Sequence, residues 1–201
     1  TTGTGADPTS APGHASPIEQ AGTVIVGIPA YNEAGSIGSV VQDAARYADE
    51  VLVVDDASSD ATAKQAAEAG ATVIHHEDNR GYGGALNTVF AEAARRDPAH
   101  LVILDGDGQH DPNDIPEAVG TQKETETDIV IGSRFNPGSE TDLPLYRRVG
   151  LAVVNTLTNL SMGVIRRESW VNDTQSGFRT YTRRAIRSLH HDDTIGEGMS
   201  A

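Results

Sequence analysis

The feature that most constrains the fold of this chain is the regular alternation of short apolar runs with segments of helical spacing. Five runs rich in Val and Ile are predicted strands: 23–28, 51–54, 72–74, 101–104 and 129–131. Runs of this kind are typical of strands that are covered on both faces of a parallel sheet. Four predicted helices lie between them: 36–47, 60–69, 85–96 and 114–121. The alternation predicts an α/β fold with a mainly parallel central sheet and helices on both faces.

The ends of the chain differ from this pattern. Residues 1–20 are mostly small or polar and cannot bury an apolar face, so they are predicted to form a disordered N-terminal tail. Residues 21–201 are predicted to form one domain. Towards its end, 145–162 is a predicted amphipathic helix, 169–181 resembles a strand and 183–190 is a predicted short helix.

The charge balance excludes several functions. The chain has 29 acidic and 15 basic residues, a formal net charge of −14, and no cysteine. An acidic chain lacks the basic surface that nucleic-acid binding needs, and without cysteine it has no disulfides or thiolate metal centres. The bases comprise 13 Arg and 2 Lys, which favours a halophilic, salt-adapted surface. The alternative is an ordinary acidic protein from a GC-rich genome.

Polar residues follow four of the predicted strands. The segments are PAYNE at 29–33, DDASSD at 55–60, DGDGQHD at 105–111 and GSR at 132–134. Because ligands bind beyond the carboxyl ends of the strands in open parallel sheets, these segments predict one site at one sheet edge.

Asp105 and Asp107 are the most specific signal of this predicted site. With one residue between them in a turn, both carboxylates can face one hard cation, and Mg²⁺ or Mn²⁺ prefers such oxygen ligands. Gln109 can add a further oxygen. Arg134, at a strand end, is suited to bind a diphosphate through bidentate hydrogen bonds. Arg147 either faces another phosphate or lies at the surface.

Three further pairs of adjacent residues need an explanation. Asp55 and Asp56 repel each other unless they face hydrogen-bond donors, such as a nucleobase edge or a ribose hydroxyl. The alternative is a helix cap formed by residues 58–60, and the two readings are compatible. The histidine pairs at 75–76 and 190–191 are interpreted as solvated rather than as metal ligands.

Taken together, the motifs resemble family-2 glycosyltransferases of the Rossmann-like GT-A fold, in the branch of dolichol-phosphate mannose and glucose synthases. The resemblance covers residues 24–181. The matching segments are IPAYNE (28–33), VVDDASSDAT (53–62), NRGYGGAL (79–86), LDGDGQHDP (104–112), IGSRF (131–135) and DTQSGFRTY (173–181).

The resemblance implies that 21–201 is a catalytic domain that transfers a hexose from a UDP- or GDP-linked sugar to a polyprenyl or dolichyl phosphate. It implies Mg²⁺ or Mn²⁺ as cofactor, inversion, a cytoplasmic location and peripheral contact with the cytoplasmic face of a membrane. The implied nucleotide-binding residues are Pro29, Tyr31, Glu33, Asp55 and Asp105. The implied metal ligands are Asp105, Asp107 and Gln109. The implied catalytic residues are Asp105, Asp107, Arg134 and Asp173. The implied acceptor and phosphate contacts are Arg134, Arg147, Ser176 and Arg179.

Three alternatives remain at this point. Members of this branch usually continue further, so the chain is either truncated at its C-terminal end or acts on an acceptor other than a membrane lipid. A nucleotide-sugar-binding module without turnover would share the same site. A phosphohydrolase of the haloacid-dehalogenase type carries a related D-x-D-G motif, but on its first strand rather than its fourth.

Overall fold

A computed structural model describes residues 22–132 and 177–191. Within these residues six strands form one sheet: β1 (Val24–Ala30), β2 (Glu50–Asp55), β3 (Thr72–His75), β4 (His100–Ile103), β5 (Ile129–Ile131) and β6 (Arg179–Thr182). The α-helices of the same residues are α1 (Ile37–Ala44), α2 (Thr62–Glu68), α3 (Gly81–Arg96), α4 (Ile115–Thr125) and α5 (Arg183–His191). A turn of 3₁₀ helix, Pro112–Asp114, precedes α4.

The sheet confirms the predicted α/β class. Its strand order is β3-β2-β1-β4-β6-β5. β1 pairs in parallel with β2 and β4, and β2 pairs in parallel with β3. β6 runs antiparallel between β4 and β5. The carboxyl ends of β1, β2 and β4 therefore meet at one edge, and β6 begins at that edge.

β1 supplies side chains to two apolar cores. Val26 and Ile28 pack with residues of α1, α2 and α4 on one face, whereas Ile25 packs with α3 and α5 on the other. Gly27 lies against α3, and a Cβ built there would overlap Cγ1 of Val89. The absence of a side chain at Gly27 thus lets α3 approach the sheet closely, and α3 carries one wall of the pocket described below.

Element bounds differ from the sequence predictions at a few places. α3 begins at Gly81, four residues before the predicted start, because packing against the sheet overrides the low helix propensity of its glycines. The strand predicted over 169–181 forms at Arg179–Thr182. The predicted tail 1–20, the predicted helix 145–162 and residues 169–176 lie outside the described residues.

None of the described helices combines the length and the apolarity that a bilayer span requires.

Candidate active site

A pocket of about 520 Å³ lies at the edge where β1, β2 and β4 end. Five residues predicted from sequence line it: Pro29, Tyr31, Glu33, Asp105 and Asp107. The other lining residues are Ala30, Asp56, Asn79 just before α3, Gly81, Tyr82 and Ala85 of α3, and Gly106. The fold thus brings together residues that follow β1, β2 and β4 and are far apart in sequence, whereas residues 133 and 134 of the fourth predicted segment lie outside the described residues.

Hydrogen bonds between two loops fix the side of the pocket that holds Tyr31 and Glu33. Asn32 has a φ of 56°, in the left-handed region that asparagine tolerates. Its backbone N–H donates to Ser58 Oγ at 2.9 Å, and its Oδ1 accepts from the Ser59 N–H at 2.8 Å. The loop after β1 is therefore held against the loop after β2.

Asp105 lies between Tyr82 of α3 and Gly177, two residues before β6. The Tyr82 hydroxyl donates to Asp105 Oδ1 at 3.3 Å. Partial burial of Tyr82, which is 45% exposed, and then the negative charge of Asp105 raise the pKa of Tyr82 above its usual range, although the charge of Arg179 opposes the shift. On the other side, the backbone of Gly177 lies so close that a Cβ there would overlap the Asp105 carboxylate. The segment predicted to face the acceptor thus contacts the predicted metal ligand directly.

Asp107 is exposed and its Oδ1 accepts from the Gln109 N–H at 2.9 Å. The loop is anchored to the start of α1, where Ser36 Oγ donates to the Gly106 carbonyl at 2.7 Å. In the described part of the chain, no three His, Asp or Glu side chains converge on a point that could hold a metal ion. The two carboxylates Asp105 and Asp107 fit Mg²⁺ or Mn²⁺, since such ions usually keep water and substrate phosphates as further ligands.

Asp55 and Asp56, the two aspartates at the end of β2, lie in different environments. Asp55 is fully buried, and its Oδ2 lies 2.6 Å from Nδ1 of His75. Its Oδ1 has no hydrogen-bond partner among the described residues, and Asp55 is not among the lining residues of the pocket. Asp56 is also buried, but it lines the pocket and contacts His76.

The interpretation of the first histidine pair as solvated is wrong for one of its two members. His75 is largely exposed, whereas the side chain of His76 is only 4% exposed. Successive residues at the end of a strand point to opposite sides, so one ring faces solvent and the other lies beneath α3.

The remaining predicted residues are distributed as follows. Arg179 is half-buried on β6 and lies close enough to Tyr82 to affect its pKa. Gln109 is exposed and does not line the pocket. Four predicted residues lie outside the described ranges, so their roles stay predictions: Arg134, Arg147, Asp173 and Ser176.

The start of α3, for which the sequence predicts no role, lies in the pocket wall. The segment NRGYGGAL (79–86) is one of the segments that carry the resemblance to family-2 glycosyltransferases, and the resemblance implies no site residue within it. Tyr82 is the polar side chain in it that reaches Asp105. A glycine-rich segment before a helix was the available signal, since such segments let backbone approach a ligand.

The sheet order and the strand-end pocket define the class as an α/β protein of the GT-A type. The sequence profile described as glycosyl transferase family 2 matches residues 25–189. The chain therefore belongs to glycosyltransferase family 2, and the phosphohydrolase alternative is excluded.

Two named relatives share about a third of their aligned residues with this chain. A UDP-N-acetylglucosamine--dolichyl-phosphate N-acetylglucosaminyltransferase of Methanococcus voltae is 32% identical, over 81% of this chain and 70% of its own length. An undecaprenyl-phosphate mannosyltransferase of Micrococcus luteus is also 32% identical, over 87% of this chain and 72% of its own length.

A solved structure shares the fold. Glucosyl-3-phosphoglycerate synthase from Mycobacterium tuberculosis, in complex with uridine diphosphate, superposes with a TM-score of 0.63 at 25% identity and 87% coverage of this chain. The chain spans 63% of that solved chain, and 59% and 56% of two others it matches.

Proposed function

We propose that this protein transfers a hexose from a UDP- or GDP-linked sugar to a polyprenyl or dolichyl phosphate, with a divalent metal ion and with inversion at the anomeric carbon. The observation that carries the proposal is the pocket wall that Asp105 and Asp107 share with Tyr31 and Glu33. That wall offers carboxylates for a metal-bound diphosphate beside an aromatic surface for a nucleoside.

The nucleoside end is assigned to the side of the pocket near β1 and β2. The ring of Tyr31 is 50% exposed in the wall and is suited to stack on a base, since every base has a π-face. The carboxylate of Asp56 can accept hydrogen bonds from a base N–H or a ribose hydroxyl. Asp55 was the residue predicted for this role, and its assignment stays a prediction.

The diphosphate end is assigned to the loop after β4. Asp105, Asp107 and Gln109 would hold Mg²⁺ or Mn²⁺, which when bound offsets the charge that develops on the leaving diphosphate. Arg134 is proposed to donate to the same diphosphate. Tyr82 holds Asp105 in place through its hydroxyl. These residues stabilise the departing group as the glycosidic bond breaks.

The acceptor is assigned to the side where β6 begins. Arg179 lies at this side, and Arg147 and Ser176 are proposed to join it in contacting the acceptor phosphate. A phosphate monoester is anionic at neutral pH and attacks without a general base, whereas a hydroxyl acceptor would need one, with Asp173 as candidate. Attack on an oxocarbenium-like centre from the face opposite the diphosphate gives inversion.

The lipid acceptor is supported by the names of the two relatives, which specify dolichyl phosphate and undecaprenyl phosphate. Such an acceptor is held in a membrane, so the proposal includes peripheral contact with the cytoplasmic face.

The experiment is a transfer assay with UDP-N-acetylglucosamine, UDP-glucose and GDP-mannose as donors and a short polyprenyl phosphate as acceptor. We expect one of the donors to give a glycosylated lipid phosphate, and we expect removal of the divalent metal to abolish this product. The anomeric configuration of the transferred sugar should be opposite to its configuration in the donor. A parallel reaction offers 3-phosphoglycerate, a soluble phosphate, in place of the lipid.

Each result has a separate meaning. Transfer to phosphoglycerate alone would contradict the lipid acceptor and retain the donor site. Donor binding without turnover on either acceptor would favour the binding-module alternative. Product formed equally well without metal would contradict the role of Asp105 and Asp107.

A further inference from the structure

The Asp–His contacts after β2 and β3 form two similar pairs in which both aspartates are buried and the histidines differ in exposure. In each pair Nδ1 of a histidine lies 2.6 Å from a carboxylate oxygen, Asp55 with His75 and Asp56 with His76. Only the second pair is enclosed, because the side chain of His75 is 58% exposed and that of His76 is 4% exposed. A buried, charge-assisted contact contributes much more to fixing a side chain than an exposed one.

The enclosed pair fixes one oxygen of Asp56. Its Oδ1 accepts both from His76 Nδ1 at 2.6 Å and from the Arg80 N–H at 2.9 Å. An ionised carboxylate only accepts hydrogen bonds, so Nδ1 of His76 carries the proton of this contact. Both bonds fall on the same oxygen, and among the described residues no hydrogen bond reaches Oδ2 of this pocket-lining residue, whose side chain is 3% exposed.

The other side of the imidazole is held by α3. Nε2 of His76 lies 2.9 Å from Thr88 Oγ1, and that hydroxyl lies 3.2 Å from the Gly84 carbonyl one turn earlier. The ring therefore joins three elements: the end of β2 through Asp56, the end of β3, and α3, which also contributes Tyr82 to the pocket. His75 has no such link among its hydrogen bonds to the described residues.

We propose that His76 is a positioning residue for the sugar-nucleotide site: it sets the carboxylate of Asp56 towards the nucleoside, and Thr88 holds its ring. The proposal rests on the function proposed above, since it takes the ligand near Asp56 to be the nucleoside of the donor. The contacts of His76 with Asp56 and Thr88 lie behind the pocket and are separate from the loop 105–109, which is proposed to bind the metal.

The test measures the binding of UDP and GDP, each with Mn²⁺, by titration calorimetry on the whole chain. His76→Phe removes both ring contacts and should weaken binding of the preferred nucleotide by about 10-fold, the usual effect of losing a hydrogen bond to a charged group. His76→Asn keeps a donor near the position of Nδ1 and should restore the affinity to within roughly 3-fold of the parent.

His75→Phe is the matched control, because it changes the neighbouring histidine and its similar aspartate contact. It should leave nucleotide affinity within about 2-fold of the parent, because Asp55 does not line the pocket, and it should lower the melting temperature, because the buried Asp55 carboxylate loses its contact with His75. Thr88→Val and Thr88→Ser form a second pair that leaves the imidazole in place. The valine variant should weaken binding and the serine variant should not, because only serine keeps the hydroxyl that contacts Nε2.

A merely structural role for His76 would give a different pattern. It would lower the melting temperature of His76→Phe and His76→Asn alike, with no rescue of affinity by asparagine, and that result would overturn the proposal. Unchanged affinity in a folded His76→Phe would overturn it too. If His76→Phe does not fold, equal affinity of the Thr88→Val and Thr88→Ser variants overturns it.

The same binding measurements distinguish failure of the proposed function from failure of the role of His76. If the parent binds neither nucleotide, both proposals are overturned. If the parent binds one of them and Asp56→Asn binds it equally well, the donor site stands and the role of His76 is overturned.

Discussion

Asp107 is the carboxylate of the strand-end pair that lies exposed, which makes it the simplest residue with which to test the metal site. Asp107→Asn keeps the size of the side chain and removes its charge. We expect Mn²⁺-dependent affinity for the donor to fall by at least ~10-fold, about 1.4 kcal/mol. Calorimetry with and without Mn²⁺ measures this, and Asp78→Asn, at another exposed aspartate, is the control. Equal affinity of Asp107→Asn and the parent in the presence of metal would contradict the assignment.

Gly177 contacts Asp105 so closely that a methyl group there requires the carboxylate to move. We therefore expect Gly177→Ala to raise the KM for the donor and to lower kcat/KM by about 10-fold, because small displacements in an active site are costly. Gly120→Ala is the matched control, since a Cβ at Gly120 meets no atom within 4 Å. Steady-state transfer kinetics distinguish them, and a Gly177→Ala enzyme with parental kinetics would show that the contact has no functional role.

The sequence indicates that the acidic residues after β2 lie near the site, but it does not indicate which of them lines the pocket. Asp55 and Asp56 are adjacent and chemically identical, so no pattern could tell which one lines the pocket. The difference arises from tertiary packing, which places Asp55 against an exposed histidine and Asp56 against a buried one. For the same reason His76, which the sequence suggests is solvated, is enclosed by α3.

The loops after β1 and β2 are coupled by Asp60, which leads to a prediction about pH. Its carboxylate accepts from the Thr62 hydroxyl, the Thr62 N–H at 2.9 Å and the Ala34 N–H at 3.1 Å. The bond from the Thr62 side chain is the main cause that lowers the pKa of Asp60 below its usual value of 3.8. A carboxylate with a lowered pKa stabilises the fold above pH 3.8, and this stabilisation is lost as the pH falls through the folded-state pKa.

We therefore expect Asp60→Ala to melt at a lower temperature than the parent at pH 5 to 7, with a difference that narrows as the pH falls below 3.8. Thermal unfolding followed by circular dichroism over this range measures the difference. Glu124→Ala, at an exposed carboxylate of α4, controls for the loss of one negative charge. A difference between parent and Asp60→Ala that stays constant down to pH 2 would show that the ionised form contributes nothing.

At the scale of elements, hydrophobic pattern predicted the parallel part of the sheet and missed the position of β6. The runs of β1, β2 and β4 are apolar and buried on both faces, which is a strong signal. β6 has the sequence RTYT, and only its pairing with β4 and β5 makes it a strand between them. Pairing partners are set by long-range hydrogen bonds, which leave no periodic trace in the sequence. This placement matters because it brings Gly177 to Asp105.

At the scale of the whole molecule, the formal net charge of −14 predicts a response to salt. At low ionic strength the Debye length reaches tens of ångströms, about 30 Å at 0.01 M, so like charges repel across the whole surface. At 1 M salt it falls to roughly 3 Å, and only adjacent charges interact. Because the folded state concentrates this charge, screening should relieve repulsion more in the folded state than in the unfolded chain.

We expect the melting temperature to rise steeply between about 0.1 and 2 M KCl, because the Debye length falls from about 10 Å at 0.1 M to roughly 3 Å at 1 M. Part of any rise comes from stronger burial of apolar groups, which sulfate promotes more than chloride. Measuring thermal unfolding in KCl and in potassium sulfate at equal ionic strength separates the two causes, since screening depends on ionic strength alone. A rise that is similar in both salts supports relief of charge repulsion. A rise in sulfate only would assign the effect to apolar burial, and a flat curve in KCl would mean that the acidic composition is not an adaptation to salt.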